Sequence, residues 1–139
     1  MLNITIGNLQ KRLPIPRKRI RNLILKVIKG EDFNKSGYIN ICFIEDRLIK
    51  KLNHKYLRLN NPTDVLAFNL AGNNNREIMA DIAISTDTAI RNACIFKTTV
   101  RDELLRYVAH GILHVLGYND RSKIQVQLMH KKENIYVNR

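Results

Sequence analysis

The sequence has 139 residues, of which 45% are hydrophobic and 26% are charged, as in most globular domains that fold in water. This length allows a core to form without disulfide support, so we predict one domain over residues 1–139. The N-terminus lacks the apolar run of a signal peptide, and no segment has the length of a membrane span. These features argue against an integral membrane protein and predict a cytoplasmic protein that does not associate with membranes.

The chain is strongly basic, with 24 Lys and Arg residues against 12 Asp and Glu residues and a formal net charge of +12. A positive field of this size favours a polyanionic partner, with nucleic acid ahead of a membrane surface. An AT-rich genome would also enrich Lys, Asn and Ile, so the charge leaves a compositional explanation open. The basic residues cluster toward the two ends of the chain: Lys11, Arg12, Arg17, Lys18, Arg19, Arg21, Lys26 and Lys29, and then Arg121, Lys123, Lys131, Lys132 and Arg139.

The first half of the chain predicts two strands, each followed by a helix. Residues 2–6 alternate in the manner of a strand. Two prolines then precede an amphipathic helix that is predicted to end near Gly30. A second predicted strand at residues 38–44 leads into a helix over residues 45–57.

The second half predicts two strands and then three helices. The strands, at residues 65–70 and 78–85, flank an Asn-rich loop as in a hairpin. Because strands and helices interleave, we predict an α+β (mixed α/β) fold in which a small four-stranded mixed sheet packs against about five helices. The three final helices are predicted at residues 85–94, from Thr98 or Thr99 to about residue 116, and at residues 121–136.

The clearest chemical signal is the segment from His110 to Asp120, which reads HGILHVLGYND. Histidines four residues apart lie one turn apart on the same helix face, so His110 and His114 can bind one ion. Gly117 is predicted to end the helix and to let the chain reverse, bringing Asp120 to the same point. Three protein ligands and one open position are typical of catalytic zinc. A water in that position ionises near neutral pH and can act as the nucleophile.

We therefore predict one Zn²⁺ ion held by His110, His114 and Asp120. The same ligands also suit nickel, iron or manganese. The alternative is a pair of structural histidines, each satisfied by a hydrogen bond within an apolar helix. The spacing is that of the zincin-like peptidase motif HExxHxxGxxH, but Gly111 stands where the peptidases carry their general base. Peptide hydrolysis is therefore disfavoured.

The segment also resembles the signature HGxLHLxGYDH of the YbeY family, single-domain metal-dependent endoribonucleases of bacterial ribosomal RNA maturation. Asn119 and Asp120 stand where that signature has Asp and His. Two upstream segments are similar to family motifs, at residues 52–68 (LNxxY and PTDVLAF) and 80–85 (ADIAIS), so the resemblance covers about residues 44–120. It implies a zinc-dependent, single-strand-specific endoribonuclease that matures the 3′ end of 16S rRNA and serves ribosome quality control. The implied partner is RNA, in particular rRNA within ribosomal particles.

One departure from the family concerns the residue that is thought to hold substrate phosphate. The family has Arg directly after the Tyr of LNxxYR, whereas this chain has Leu57 there and Arg58 one position later. We predict that Arg58 takes over this catalytic role if it lies in a loop. On a regular helix it would point about 100° away from position 57.

Several other expectations complete the sequence-based account. Arg106 is expected to pair with Glu103, the alternative being that it leans toward the mouth of the active site and meets phosphate. Asp64 is expected to serve a turn or a cap, and Cys42 and Cys94 are expected to be free buried thiols. A monomer is favoured. Two rival functions stay open at this point: a metal-binding ribosome-assembly or RNA-binding factor without catalysis, and a zinc metallopeptidase that Gly111 disfavours.

Overall fold

A computed structural model describes residues 2–32, 36–59, 63–71 and 77–137. Within these ranges the chain forms four strands and five helices, each within two residues of its predicted bounds, and the predicted α+β class is confirmed. None of the helices in this part of the chain is both long and apolar enough to cross a membrane. In chain order the elements are β1 (Leu2–Asn8), α1 (Arg17–Gly30), β2 (Ser36–Ile44), α2 (Asp46–Leu57), β3 (Val65–Asn69), β4 (Glu77–Ser85), α3 (Thr86–Phe96), α4 (Val100–Val115) and α5 (Lys123–Val137).

The four strands form one mixed sheet in the order β1-β2-β4-β3. The pairs β1–β2 and β2–β4 are parallel, whereas β3 runs antiparallel to β4. Parallel neighbours need a crossover connection, which α1 supplies between β1 and β2. The Asn-rich loop expected between β3 and β4 lies outside the described residues, but the antiparallel pairing agrees with the predicted hairpin. Residues that pair across neighbouring strands lie on the same face of the sheet, and one such apolar row consists of Ile6, Ile41, Ile82 and Ala67.

Helix α4 is the central helix of the fold, and it contacts α1, α3, α5, β3 and β4. It begins at the cap Thr99, whose hydroxyl accepts a hydrogen bond from the N–H of Asp102 at 3.0 Å. Its core-facing side chains are almost fully buried, and each such apolar side chain stabilises the fold by about 1.5–3 kcal/mol. They include Leu104, Leu105, Val108, Ile112 and Leu113. The helix that carries the histidine pair is therefore held in place by the main core.

Gly111 lies on the face of α4 that packs against the sheet. A Cβ atom added there would lie 3.1 Å from Cγ2 of Ile82 and 3.3 Å from Cγ1 of Val65. These distances leave almost no room for a side chain, so Gly111 allows α4 to approach the sheet closely. A side chain at position 111 would enter the core instead of reaching the two histidines.

Helix α2 covers part of the opposite face of the sheet, where Ile49 packs with Ile44 and Leu66. Both cysteines are free thiols, as predicted. Cys42 is half-buried, but Cys94 is exposed on α3, so its predicted burial is wrong. The face of α3 that packs inward uses the small residues Ala89 and Ala93 instead.

Candidate metal centre

The end of α4 turns the chain back toward the first histidine. Gly117 has a φ of +112°, the positive value that its predicted role requires. The N–H of Gly117 donates to the carbonyl of His114 at 3.1 Å, and that of Tyr118 donates to the carbonyl of Leu113 at 3.0 Å. These two bonds form a Schellman motif, the usual way in which a glycine ends a helix. The reversal brings Oδ2 of Asp120 to 3.6 Å from Nε2 of His110.

The two histidines are oriented by hydrogen bonds on the same ring atom. Nδ1 of His110 lies 2.8 Å from a carboxylate oxygen of Glu133, and Nδ1 of His114 lies 3.0 Å from the backbone carbonyl of Tyr118. Carboxylates and carbonyls accept hydrogen bonds, so each Nδ1 is the donor, and in the neutral form of either ring Nε2 carries the lone pair. The rings are nearly parallel, with planes 6° apart and centroids 6.4 Å apart. This is the way in which metal-binding histidines are usually held.

The spacing of the candidate ligands is compatible with an ion. Ligand atoms on a tetrahedral zinc lie roughly 3.3–3.6 Å apart, and the 3.6 Å between His110 and Asp120 falls within this range. In the described part of the chain, no three His, Cys, Asp or Glu side chains are close enough together to enclose an ion as they stand. His114 and Asp120 are exposed, so their side chains have room to move toward an ion at His110.

Glu133, on α5, is the site residue that sequence reasoning missed. It is only 2% exposed, and a buried carboxylate is costly unless it is paired. Its oxygens lie 3.3 Å from Nη1 of Arg106 and 3.6 Å from Nδ1 of His130, besides the 2.8 Å contact with His110. The available signal was its place among the buried residues Met129 and Tyr136, at helical spacing on the inner face of α5.

The predicted ion pair between Arg106 and Glu103 is wrong. Arg106 turns to Glu133, whereas Glu103 accepts hydrogen bonds from the hydroxyl groups of Thr98, at 2.8 Å, and Tyr107, at 3.2 Å. The reason is packing, because Glu103 faces the connection between α3 and α4 and is itself buried. His130 is exposed and also lies beside Glu133.

The electrostatic surroundings of His110 favour positive charge. Burial alone lowers the pKa of His110, but the hydrogen bond and charge of Glu133, with the charges of Asp64 and Asp120, raise it above its ordinary value. The carboxylates that stabilise a charged imidazole also stabilise a bound cation. The site is therefore suited to a divalent metal.

A cavity of about 560 Å³ opens beside His110, within the usual size range of ligand sites. His110 and Asp120 both line it, and His114 lies one turn further along α4. Asp64 lines it too. Its Oδ1 accepts a hydrogen bond from the N–H of Val65 at 2.8 Å, and the turn role expected for Asp64 stays a prediction.

Arg58 lies at the end of α2, directly after the last helical residue, Leu57. Its backbone is left-handed, with φ of 60° and ψ of 26°, so it is outside the regular helix, as the phosphate-binding hypothesis required. Its side chain is exposed and is not among the described residues that line the cavity beside His110. Phosphate binding by Arg58 stays a prediction.

Comparisons with known proteins agree on one family. The family model described as Endoribonuclease YbeY matches residues 5–139 of the chain. The chain is 36% identical over 136 residues to the endoribonuclease YbeY of Syntrophus aciditrophicus, covering 94% of this chain and 84% of that protein. It is 37% identical over 123 residues to that of Chloroherpeton thalassium, covering 88% and 85%.

A solved structure shows the same fold. The solution structure of TM1509 from Thermotoga maritima superposes with a TM-score of 0.67 at 26% identity, covering 99% of this chain and 87% of that one. The similarity extends from the first strand to the last helix, well beyond the histidine motif. The chain belongs to the YbeY family of endoribonucleases.

Proposed function

We propose that the protein is a zinc-dependent endoribonuclease that hydrolyses phosphodiester bonds of ribosomal RNA. The observation that carries the proposal is the shared orientation of His110 and His114, whose Nδ1 atoms are both occupied by acceptors. Their Nε2 atoms are then the ligand atoms for a cation, with Asp120 beside the first of them. Membership of an endoribonuclease family supports RNA as the substrate.

Zn²⁺ bound by His110, His114 and Asp120 would supply Lewis acidity and an ionisable water at neutral pH. The residues of the chain position this chemistry. Glu133 fixes the ring of His110, the carbonyl of Tyr118 fixes that of His114, and the core of α4 holds both. The cavity beside His110 leaves space for a nucleotide unit.

The RNA backbone would be held by the basic surface of the protein. Among the described residues, exposed cations are most numerous on the helices α1, α2 and α5. Lys and Arg side chains that neutralise phosphates release counterions, which gives affinity without sequence preference. The exposed Lys and Arg residues of these helices are Arg17, Lys18, Arg19, Arg21, Lys26 and Lys29 on α1, Arg47, Lys50, Lys51 and Lys55 on α2, and Lys123 and Lys131 on α5.

The finer biological role follows from the family resemblance. We place the reaction at the 3′ end of 16S rRNA and in ribosome quality control, in the cytoplasm, with the protein acting as a monomer on ribosomal particles. A metallopeptidase role is disfavoured, because Gly111 faces Ile82 and Val65 in the core, where no general base could reach the histidines.

The test is cleavage of a 16S rRNA precursor by the purified protein, with and without Zn²⁺ and with casein as a competing substrate. We expect Zn²⁺-dependent RNA cleavage and intact casein. His114→Ala should abolish cleavage, whereas His54→Ala, which removes an exposed histidine on α2, should leave it unchanged. Casein digestion, or full cleavage by His114→Ala, would contradict the proposal.

The second candidate is an RNA-binding assembly factor without catalysis. It is favoured by Leu57 in place of the family arginine and by the absence of Arg58 from the described lining of the cavity. Such a factor would bind the precursor with the same affinity as wild type after His114→Ala, and neither form would cleave it. Arg58→Ala separates the two cases further, because only an enzyme that uses Arg58 would lose cleavage rate.

A further inference from the structure

One aromatic side chain lies on the rim of the cavity, beside the candidate metal ligands. Phe96 is the last residue of α3, and it lines the cavity together with His110 and Asp120. Its side chain is nevertheless 63% exposed. Single exposed apolar residues are common on protein surfaces, so it is the position of Phe96 beside the candidate metal ligands that matters here.

Backbone hydrogen bonds hold the end of α3, where Phe96 lies. Lys97 takes a left-handed conformation, and the N–H of Thr98 donates to the carbonyl of Ala93 at 3.0 Å. A chain of side-chain hydrogen bonds then joins this connection to α4. The side-chain amide of Asn92 donates to the Tyr107 hydroxyl at 2.8 Å, and Glu103 accepts from both Tyr107 and Thr98.

The side chains of this network line the same cavity as Phe96. Glu103 and Tyr107 are themselves buried, at 7% and 5% exposure, and they occupy the space between α3 and α4. A molecule that enters the cavity would bury the exposed phenyl ring further. An exposed aromatic ring beside a nuclease site has the properties of a base-stacking platform.

We propose that Phe96 stacks on one unpaired base of the RNA and so positions the adjoining phosphodiester at the site of His110 and Asp120. The inference rests on the proposed ribonuclease function. It gives a physical reason for a preference for single-stranded RNA, because a base can reach a protein ring only when it is not paired and stacked within a duplex. Phe96 acts here as a positioning residue.

The test is the Kd of a short single-stranded RNA oligonucleotide, measured by fluorescence anisotropy in the presence of a chelator so that no cleavage occurs. We expect Phe96→Ala and Phe96→Leu to weaken binding by about 5- to 100-fold, the usual effect of losing one base–aromatic stack. Phe96→Tyr and Phe96→Trp keep an aromatic face and should stay within about twofold of wild type.

Ile95→Ala is the matched control. Ile95 is the neighbouring exposed apolar residue on α3, 67% exposed, and it is not among the described residues that line the cavity. Its removal should leave the Kd unchanged. The slope of log Kd against log salt should also be unchanged in Phe96→Ala, because stacking releases no counterions, whereas Lys131→Ala should reduce it.

The outcomes separate the two proposals. If wild type binds and cleaves RNA but Phe96→Leu keeps wild-type affinity, the contact is merely apolar and stacking is disproved. If Phe96→Ala also binds RNA with wild-type affinity, Phe96 does not contact the RNA. If wild type binds RNA tightly but never cleaves it with Zn²⁺, the nuclease function fails while the Kd series still decides the role of Phe96. If wild type binds no RNA, both proposals fail.

Discussion

The carboxylate of Glu133 lies 2.8 Å from Nδ1 of His110, although the two residues are 23 positions apart in the sequence and belong to different helices. This contact fixes the orientation of the imidazole and leaves Nε2 directed at the site. It also links the packing of α5 to the function of α4, because Glu133 is buried between them.

Glu133→Ala should therefore lower the affinity for Zn²⁺ by about 10- to 100-fold, as is usual when a histidine ligand loses its hydrogen-bond acceptor. Glu133→Gln keeps an acceptor oxygen, so it should lose less Zn²⁺ affinity than Glu133→Ala. The affinity is measured by competition with a chromophoric chelator. Glu103→Gln is the control, since it alters another buried carboxylate that bonds to Thr98 and Tyr107. Equal losses of Zn²⁺ affinity in the two glutamine variants would show that Glu133 acts only through stability.

Gly117→Ala should destabilise the protein and displace Asp120. Position 117 has a φ of +112°, and an added Cβ would meet nothing within 4 Å, so the cost is one of backbone strain alone. We expect the free energy of unfolding to fall by about 1–2 kcal/mol and the Zn²⁺ affinity to fall with it. Gly7→Ala is the control, because the nearest atom to its Cβ would be Sγ of Cys42 at 3.5 Å, an ordinary contact. Unchanged Zn²⁺ affinity in Gly117→Ala would mean that the turn does not deliver Asp120.

Gly111→Glu should not create a peptidase. The new carboxylate would be buried against Ile82 and Val65 without a partner, which costs several kcal/mol. We expect a large fall in the thermal melting temperature and no hydrolysis of casein. Gly111→Ala, with one methyl group to fit, should have a much smaller effect. A stable Gly111→Glu variant that digests casein would contradict the placement of this residue in the core.

Glu31 should make the protein sensitive to acid. Burial raises the pKa of its carboxyl, but hydrogen bonds from Tyr118, Tyr136 and Lys132 outweigh burial and lower the pKa below its ordinary value. A carboxyl whose pKa is lower in the folded state stabilises the fold above its unfolded pKa, and this contribution is lost as the pH falls through the folded pKa. Glu31→Gln should therefore melt at a lower temperature at neutral pH and show a flatter acid limb.

Tyr118 links this carboxyl to the candidate metal centre, because its backbone carbonyl accepts from His114. We accordingly expect Glu31→Gln to weaken Zn²⁺ binding as well. The control is Asp32→Asn, which removes the neighbouring charge outside this hydrogen-bond cluster. Parallel pH–melting curves for wild type and Glu31→Gln would contradict the assignment.

Local patterns predicted the elements and the core of the candidate site. The spacing of His110 and His114 and the position of Gly117 depend only on helix geometry and on how helices end, and the structure agrees with both. The sheet order β1-β2-β4-β3 was not predictable, because which strands pair is decided by tertiary packing.

The ion-pair and hydrogen-bond partners of the buried polar residues could not be predicted from the sequence either. Arg106 and Glu103 are three residues apart on one helix, a spacing that permits an ion pair. Packing separates them, because α5 brings Glu133 to Arg106, whereas Glu103 accepts a hydrogen bond from Thr98 in the connection between α3 and α4. A pairing between α4 and α5 leaves no local signature in the sequence.

The most direct test of the central claim is a crystal structure of the zinc-loaded protein with anomalous data collected at the zinc edge. We expect one peak about 2.0–2.2 Å from Nε2 of His110, Nε2 of His114 and a carboxylate oxygen of Asp120, with Nδ1 of His110 still bonded to Glu133. A peak at other residues, ligation through either Nδ1, or no bound zinc would contradict it.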